Sequence, residues 1–217
     1  MDTIEITGGA RIGSANATWP FAKLKVDKNM LELNASIIGN LVFRPKDIIS
    51  ITPYTSIISN GIKINHKVAN YKTDVVFWTT TDPALIINQI KQTGFTQNIS
   101  NDTTEVDKEI IDKQKSGSNP LKKSTVIVYA VLWNVLLIFD FIRFALSGMK
   151  GMPLGYGTIS VLLIFLLSSI LLLTSKQFRR LILKQGRTVS DVGRFLYMAI
   201  FICLFMLTII SLMNVIP

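Results

Sequence analysis

One stretch restricts this chain more than any other: residues 154–174, LGYGTISVLLIFLLSSILLLT, are 21 residues without a charge. At about 1.5 Å of rise per residue, a helix of that length covers the roughly 30 Å hydrocarbon core of a bilayer. Backbone N–H and C=O groups find no water in that layer, so such a segment must cross it as a helix. Two more runs share the property. Residues 124–146 are apolar apart from Asn134 and the pair Asp140 and Arg143 near the end, and residues 195–216 are uncharged throughout. The reading is a transmembrane region over 124–217, with spans near 124–146, 154–174 and 195–216.

The loops between these runs give a direction. Residues 147–153, SGMKGMP, carry only Lys150, whereas the loop 175–194 holds Lys176, Arg179, Arg180, Lys184, Arg187 and Arg194. Basic loops are retained in the cytoplasm, so the second loop is expected inside. Three spans then put the N-terminal segment inside and the C-terminus outside, in line with Lys113, Lys115, Lys122 and Lys123 ahead of the first span. The opening MDTIEITGGARIGS is acidic at its start and lacks an apolar h-region, so a cleaved signal peptide is not expected. The expected location is the plasma (inner) membrane, with the N-terminal domain cytoplasmic.

From Ser124 onward eight basic residues face two acids, so +6 of the formal net charge of +9 lies in the apolar half. The basic loop reads first as a topological anchor. A second use is contact with lipid: Phe178, Leu181 and Ile182 recur at i, i+3 and i+4, which would turn Arg179, Arg180, Lys184 and Arg187 toward anionic head groups. Gly186 would end that short helix, and Ser190 with Asp191 would cap the third span. No DNA-binding motif accompanies these charges, and nucleic acid is not an expected partner.

Ahead of the spans the hydrophobic period is two. WPFAKLKV places Ala22, Leu24 and Val26 on one face and Phe21, Lys23 and Lys25 on the other, and after the turn VDKN the stretch MLELNA places Leu31 and Leu33 together. A strand over residues 41–43 follows, then a break at Pro45, a strand around residues 48–51, a turn at Ser59-Asn60-Gly61 leading into GIKINHKV, and a last strand DVVFWTTT. Asp82 or Thr81 caps a helix with Pro83 in its first turn and Leu85, Ile86 and Ile90 on one face, ended by Gly94. Met1–Ala17 is expected to be a flexible segment, its ITGGARIGS glycines marking a turn or disorder. The charged stretch 99–123 is expected to be a tether containing a short helix over 104–115.

The stretches VFRPKDIISI, GIKINHKV and VVFWTTTDPALIINQIKQTGF resemble the bacterial pleckstrin-homology-like domains, over residues 18–98. The expected fold class is therefore α+β, a bent antiparallel sheet or barrel with a C-terminal helix, followed by an all-α region of three transmembrane helices. The resemblance implies a recognition module for lipid head groups, peptides or other domains, without catalytic residues. In members that bind phosphoinositides a basic motif spans the first hairpin, and Lys23, Lys25 and Lys28 occupy that region here. The matching arginine further on is absent, and Asp27 and Glu32 lie close by.

Chemistry-bearing residues are sparse. His66 is the sole histidine and Cys203 the sole cysteine, so a metal cluster or an intramolecular disulfide cannot be assembled from them. His66 reads as a packed or hydrogen-bonded strand residue, and Cys203 as packing inside a span. Trp78 and Phe77 adjoin on a strand and face opposite ways. Asp140 and Arg143, at i and i+3, read as an intramembrane polar pair, and Asn134 as a residue for helix association. Sequons at Asn16, Asn34, Asn98 and Asn101 would matter only on the luminal side. No cofactor is expected and no enzyme. The expected role is a membrane-anchored interaction or scaffold protein, its partners being the bilayer, a protein bound by the cytoplasmic domain and a further copy through the spans. The alternatives are an oligomeric transporter or channel subunit and a lipid head-group sensor.

Overall fold

The structure, a computed structural model, describes residues 2–56, 59–98, 105–149 and 155–215. The chain divides into two compact units, residues 1–120 with 184–192, and residues 121–183 with 193–217. Lys150, Asn101 and the first residues of the linker lie outside the described residues.

The first unit is built on seven strands, β1 (Thr3–Ile12), β2 (Ala15–Asp27), β3 (Leu31–Asn34), β4 (Asn40–Phe43), β5 (Ile48–Thr55), β6 (Asn60–His66) and β7 (Val75–Thr79). They form one antiparallel sheet in the order β4-β3-β2-β1-β7-β6-β5, curled into a half-barrel. Alternation decides the inner face. Ala22, Leu24 and Val26 of β2 and Leu31 and Leu33 of β3 are fully buried, as their period of two predicts. Phe43, Ile62, Ile64 and Phe77 complete the core from the other strands.

Helix α1 (Pro83–Gln92) closes the core with Ile86 and Ile90, and Phe95 follows it in. Asp82 caps it by accepting from the Ala84 N–H at 2.7 Å, Pro83 stands where an N–H would be unpaired, and Gly94 takes the left-handed conformation at φ 78° beyond its end. Leu85 is a correction: it is exposed, and the partly buried Ile87 packs on the core in its place, because the buried stripe runs through positions 86, 87 and 90.

The N-terminal segment is a second correction. Residues 3–12 are not a flexible lead but the central strand, paired to β2 on one side and to β7 on the other. Gly8 and Gly9 hide it from a periodicity reading, since they contribute no side chain to the pattern. The sheet needs them small: a Cβ on Gly9 would overlap the Trp78 indole, and one on Gly8 would overlap the Trp78 carbonyl.

The linker is a third. Helix α2 (Glu105–Lys115) forms where a short helix was predicted, but it is packed into the first unit rather than tethering it. Ile110 is buried, and the Gln114 amide donates to the Val42 carbonyl of edge strand β4 at 2.9 Å and to Asp47 at 2.8 Å. Burial pushes the Asp47 carboxyl up, but hydrogen bonds from the Arg44 guanidinium, the Gln114 amide and the Arg44 N–H, together with the Arg44 charge, outweigh it and hold its pKa below the ordinary value. A carboxyl depressed on folding contributes stability that is present above its unfolded pKa, near 4, and lost as pH falls through the folded one. Amide exchange in α2 and β4, corrected for intrinsic rates, is expected to lose protection as pH falls below about 4. Flat protection down to about pH 2 would contradict that.

The second unit contains α3 (Lys123–Leu146), α4 (Tyr156–Thr174), α5 (Lys176–Ile182) and α6 (Gly193–Val215). Helices α3, α4 and α6 are long and apolar enough to cross a membrane. α4 packs on α6 through Leu162, Cys203 and Ile210, and on α3 through Tyr129, whose hydroxyl donates to Ser168 and whose ring meets Phe165 edge-on at 5.3 Å.

Candidate functional site

The site begins with an irregularity in β2. Ala22 pairs with Gly8 and Ala17 with Ala10, so Thr18, Trp19, Pro20 and Phe21 stand opposite Gly9 alone. Pro20 has no N–H to give the ladder, and a strand interrupted at proline bulges. The bulge turns Phe21, expected on the outer face, partly onto the core, and throws Trp19 outward to 63% exposure. Bulges of this kind re-aim side chains beside functional sites.

Trp19 lines an open groove of about 410 Å³ with Ile4, Glu5, Ile6, Thr7, Thr79, Thr80, Thr81 and Gln89. The strands β1 and β7 supply its floor and α1 contributes Gln89. Thr79 donates to the Thr7 carbonyl at 3.2 Å, which ties the two strands at the groove's base. The chemistry is one large aromatic face, a row of hydroxyls, an amide and a carboxylate, a set that can bury an apolar side chain and hydrogen-bond the peptide groups around it. A sequence signal for it existed in the tetrapeptide TWPF, where a proline falls within a strand pattern.

The residues singled out from sequence are dispersed. Lys23 forms an ion pair with Glu5, and Lys25 stands directly across the sheet from Glu5 on one side and Glu32 on the other. Lys28 lies in the following turn, where its carbonyl accepts from the Asn98 amide. These lysines therefore alternate with acids on the outer face and do not converge into a cradle.

The basic loop is divided between the units. Arg179 donates through Nε to the Leu172 carbonyl at 2.7 Å and through its other nitrogen to Leu173, closing the C-terminal end of α4. Arg180 is exposed. Lys184 donates to the Ser116 carbonyl at 2.8 Å. Arg187 is buried among the carbonyls of Asn40, Lys113 and Gly117, so it does not present its charge outward. Asp191 accepts from the Thr188 N–H at 2.8 Å and from the Asn40 amide at 2.6 Å, which fixes residues 184–192 to edge strand β4. It caps the short turn at residues 189–191 rather than the third span directly.

Asp140 and Arg143 are not ion-paired among the described residues. The Asp140 carboxylate, 2% exposed, instead accepts from the N–H groups of Gly155, Gly157 and Thr158 and from the Thr158 hydroxyl at 2.7 to 2.9 Å. Arg143 lies over the Tyr156 ring at 5.5 Å. The spacing of i and i+3 favours a partner on the same helix, whereas the amides at the start of α4, which lack an intrahelical acceptor, offer a better one.

His66 is buried beside Phe43 and Tyr71. Its Nδ1 accepts from the Val68 N–H at 3.2 Å, which leaves Nε2–H to donate to the Lys72 carbonyl at 2.9 Å. No group of three or more metal-ligating side chains occurs among the described residues. Comparison of the chain with protein-family models, curated proteins and solved structures finds no match.

Proposed function

We propose that this chain is a membrane-anchored recognition protein, with a pleckstrin-homology-like sheet unit that takes an extended segment of a protein partner in the Trp19 groove. The observation that carries this reading is the bulge, which holds a tryptophan out of the core over a groove rich in hydrogen-bonding groups. An exposed aromatic beside hydroxyls and an amide is the make-up of a protein-binding hot spot. The strand order, with first and last strands paired and a helix after β7, supports the pleckstrin-homology-like assignment. Acids interleaved with Lys23 and Lys25 favour a peptide over a phosphorylated head group. Both ring nitrogens of His66 are occupied by the backbone, which favours binding over catalysis.

The orientation has support beyond the charge of the loop. Residues 184–192 belong to the same compact unit as residues 1–120, which supports both being on one side of the membrane, with the first two spans crossing out and back between them. Six basic residues at 175–194 favour the cytoplasm for that side.

The test is crosslinking capture in intact cells, comparing the full chain with Trp19→Ala at matched membrane levels. Loss of a buried tryptophan contact weakens capture of a specific partner by at least about 30-fold, the equivalent of a 2 kcal/mol hot spot. Hydrogen exchange over β1, β2 and β7 checks that the sheet is intact. An unchanged partner set in a folded variant would sink the reading.

A further inference from the structure

Helix α3 is the barest of the three spans: 6% of its apolar window is buried within the chain, against 33% for α4 and 17% for α6. It is not uniformly apolar. Asn134 lies at its middle and is exposed, on a helix long and apolar enough to cross a membrane. Among the described residues its amide makes one hydrogen bond, from Nδ2 to the Ala130 carbonyl of its own helix at 2.7 Å. An amide has two donor hydrogens and an acceptor oxygen, so the remaining donor and the oxygen are left facing lipid.

The residues around Asn134 form a seam. Ile127, Val131, Asn134, Ile138, Phe141 and Ala145 follow one another in steps of four, three, four, three and four, and all are exposed. Steps alternating between four and three are the spacing that keeps one stripe of a helix against another helix over its length. At 3.6 residues per turn the stripe lies about half a turn from Thr125, Tyr129 and Asp140. Tyr129, Trp133, Leu136 and Asp140 are among the residues through which α3 meets α4, all off the stripe, so the seam is the face that α4 leaves bare.

We infer that this seam is the contact with a second copy of the same chain, in which two α3 helices run parallel and the Asn134 amides hydrogen-bond each other. The self-complementary chemistry of the amide argues for a copy as the partner: it offers one donor and one acceptor, and a second Asn134 offers the same pair reversed. Every copy inserts with the same orientation, so two α3 helices related by a two-fold axis along the membrane normal bring Asn134 to Asn134 at equal depth. Val131 and Ile138 fall at the a positions of this spacing, where β-branched side chains suit a two-stranded parallel pair, and Asn134, at a d position, can hydrogen-bond its counterpart across the pair.

The test uses the full chain in its own membranes with Cys203→Ser as background. Single cysteines are placed at Ile127 and Ile138 on the seam and at Val128 and Phe139 off it, and disulfide formation is induced by oxidation. The expected result is covalent dimer from the seam positions, at least about 5-fold more than from the off-seam positions, and a further drop of about 3- to 10-fold when Asn134→Leu is added. Leucine keeps the span apolar and helical, so insertion is preserved and is checked by membrane yield. Equal crosslinking at all four positions, no dimer at any, or dimer indifferent to Asn134→Leu would each overturn the inference.

Discussion

Deleting residues 1–13 is expected to unfold the whole sheet unit while leaving the three apolar helices inserted. β1 has three strands on either side of it in the order β4-β3-β2-β1-β7-β6-β5, so its loss separates the sheet into two three-stranded pieces. Each piece would have a newly unpaired edge, with its half of the core open to water. Ile4, Ala10 and Ile12 leave the core directly, and the Phe77 and Val75 side chains of β7 lose the strand beside them. A domain has only about 5–15 kcal/mol of net stability, and removing a ten-residue central strand exceeds that. Limited proteolysis and amide exchange of the full and shortened chains in membranes read the outcome directly. A protease-resistant fragment covering residues 15–98 in the shortened chain would mean that β1 is dispensable.

Asp140→Ala is expected to cost about 3 kcal/mol, at roughly 1 kcal/mol or more for each backbone amide left without an acceptor. The carboxylate serves three N–H groups and one hydroxyl at the start of α4, and Gly157 approaches α3 closely enough that a Cβ there would overlap the Leu136 carbonyl. Asp140→Asn keeps one oxygen and should lose about half as much. Arg143→Ala should cost less than about 1 kcal/mol, since among the described residues it is the contact over Tyr156 that is removed. Unfolding of the full chain in mixed micelles separates this from an ion pair, for which Asp140→Ala and Arg143→Ala would be equally damaging.

Much of the fold is legible in the residues, and the exceptions have identifiable causes. The spans followed from uninterrupted apolar runs, and α3, α4 and α6 begin and end within two residues of the expected limits, apart from the undescribed chain end. The strands from Ala22 onward followed from alternation, and α1 from its cap, its proline and its glycine. β1 was hidden because Gly8 and Gly9 carry no pattern. The groove was hidden because a bulge breaks the register that a period of two assumes, so Trp19 could not be assigned a face. Arg187 looked like part of one basic patch because sequence proximity to Arg180 says nothing about which carbonyls each will meet.

The sequence by itself determined what solvent each segment must occupy. Hydropathy and period are local properties, and transfer from water to hydrocarbon or to a protein core is decided residue by residue. Tertiary structure alone decided which polar groups meet. The partner of Asp140 is the open end of another helix, the partners of Arg187 are carbonyls at residues 40, 113 and 117, and the exposure of Trp19 depends on how four residues are accommodated opposite one. Hydrogen bonds are directional and reach about 3 Å, so they exist only once the chain has brought distant residues together.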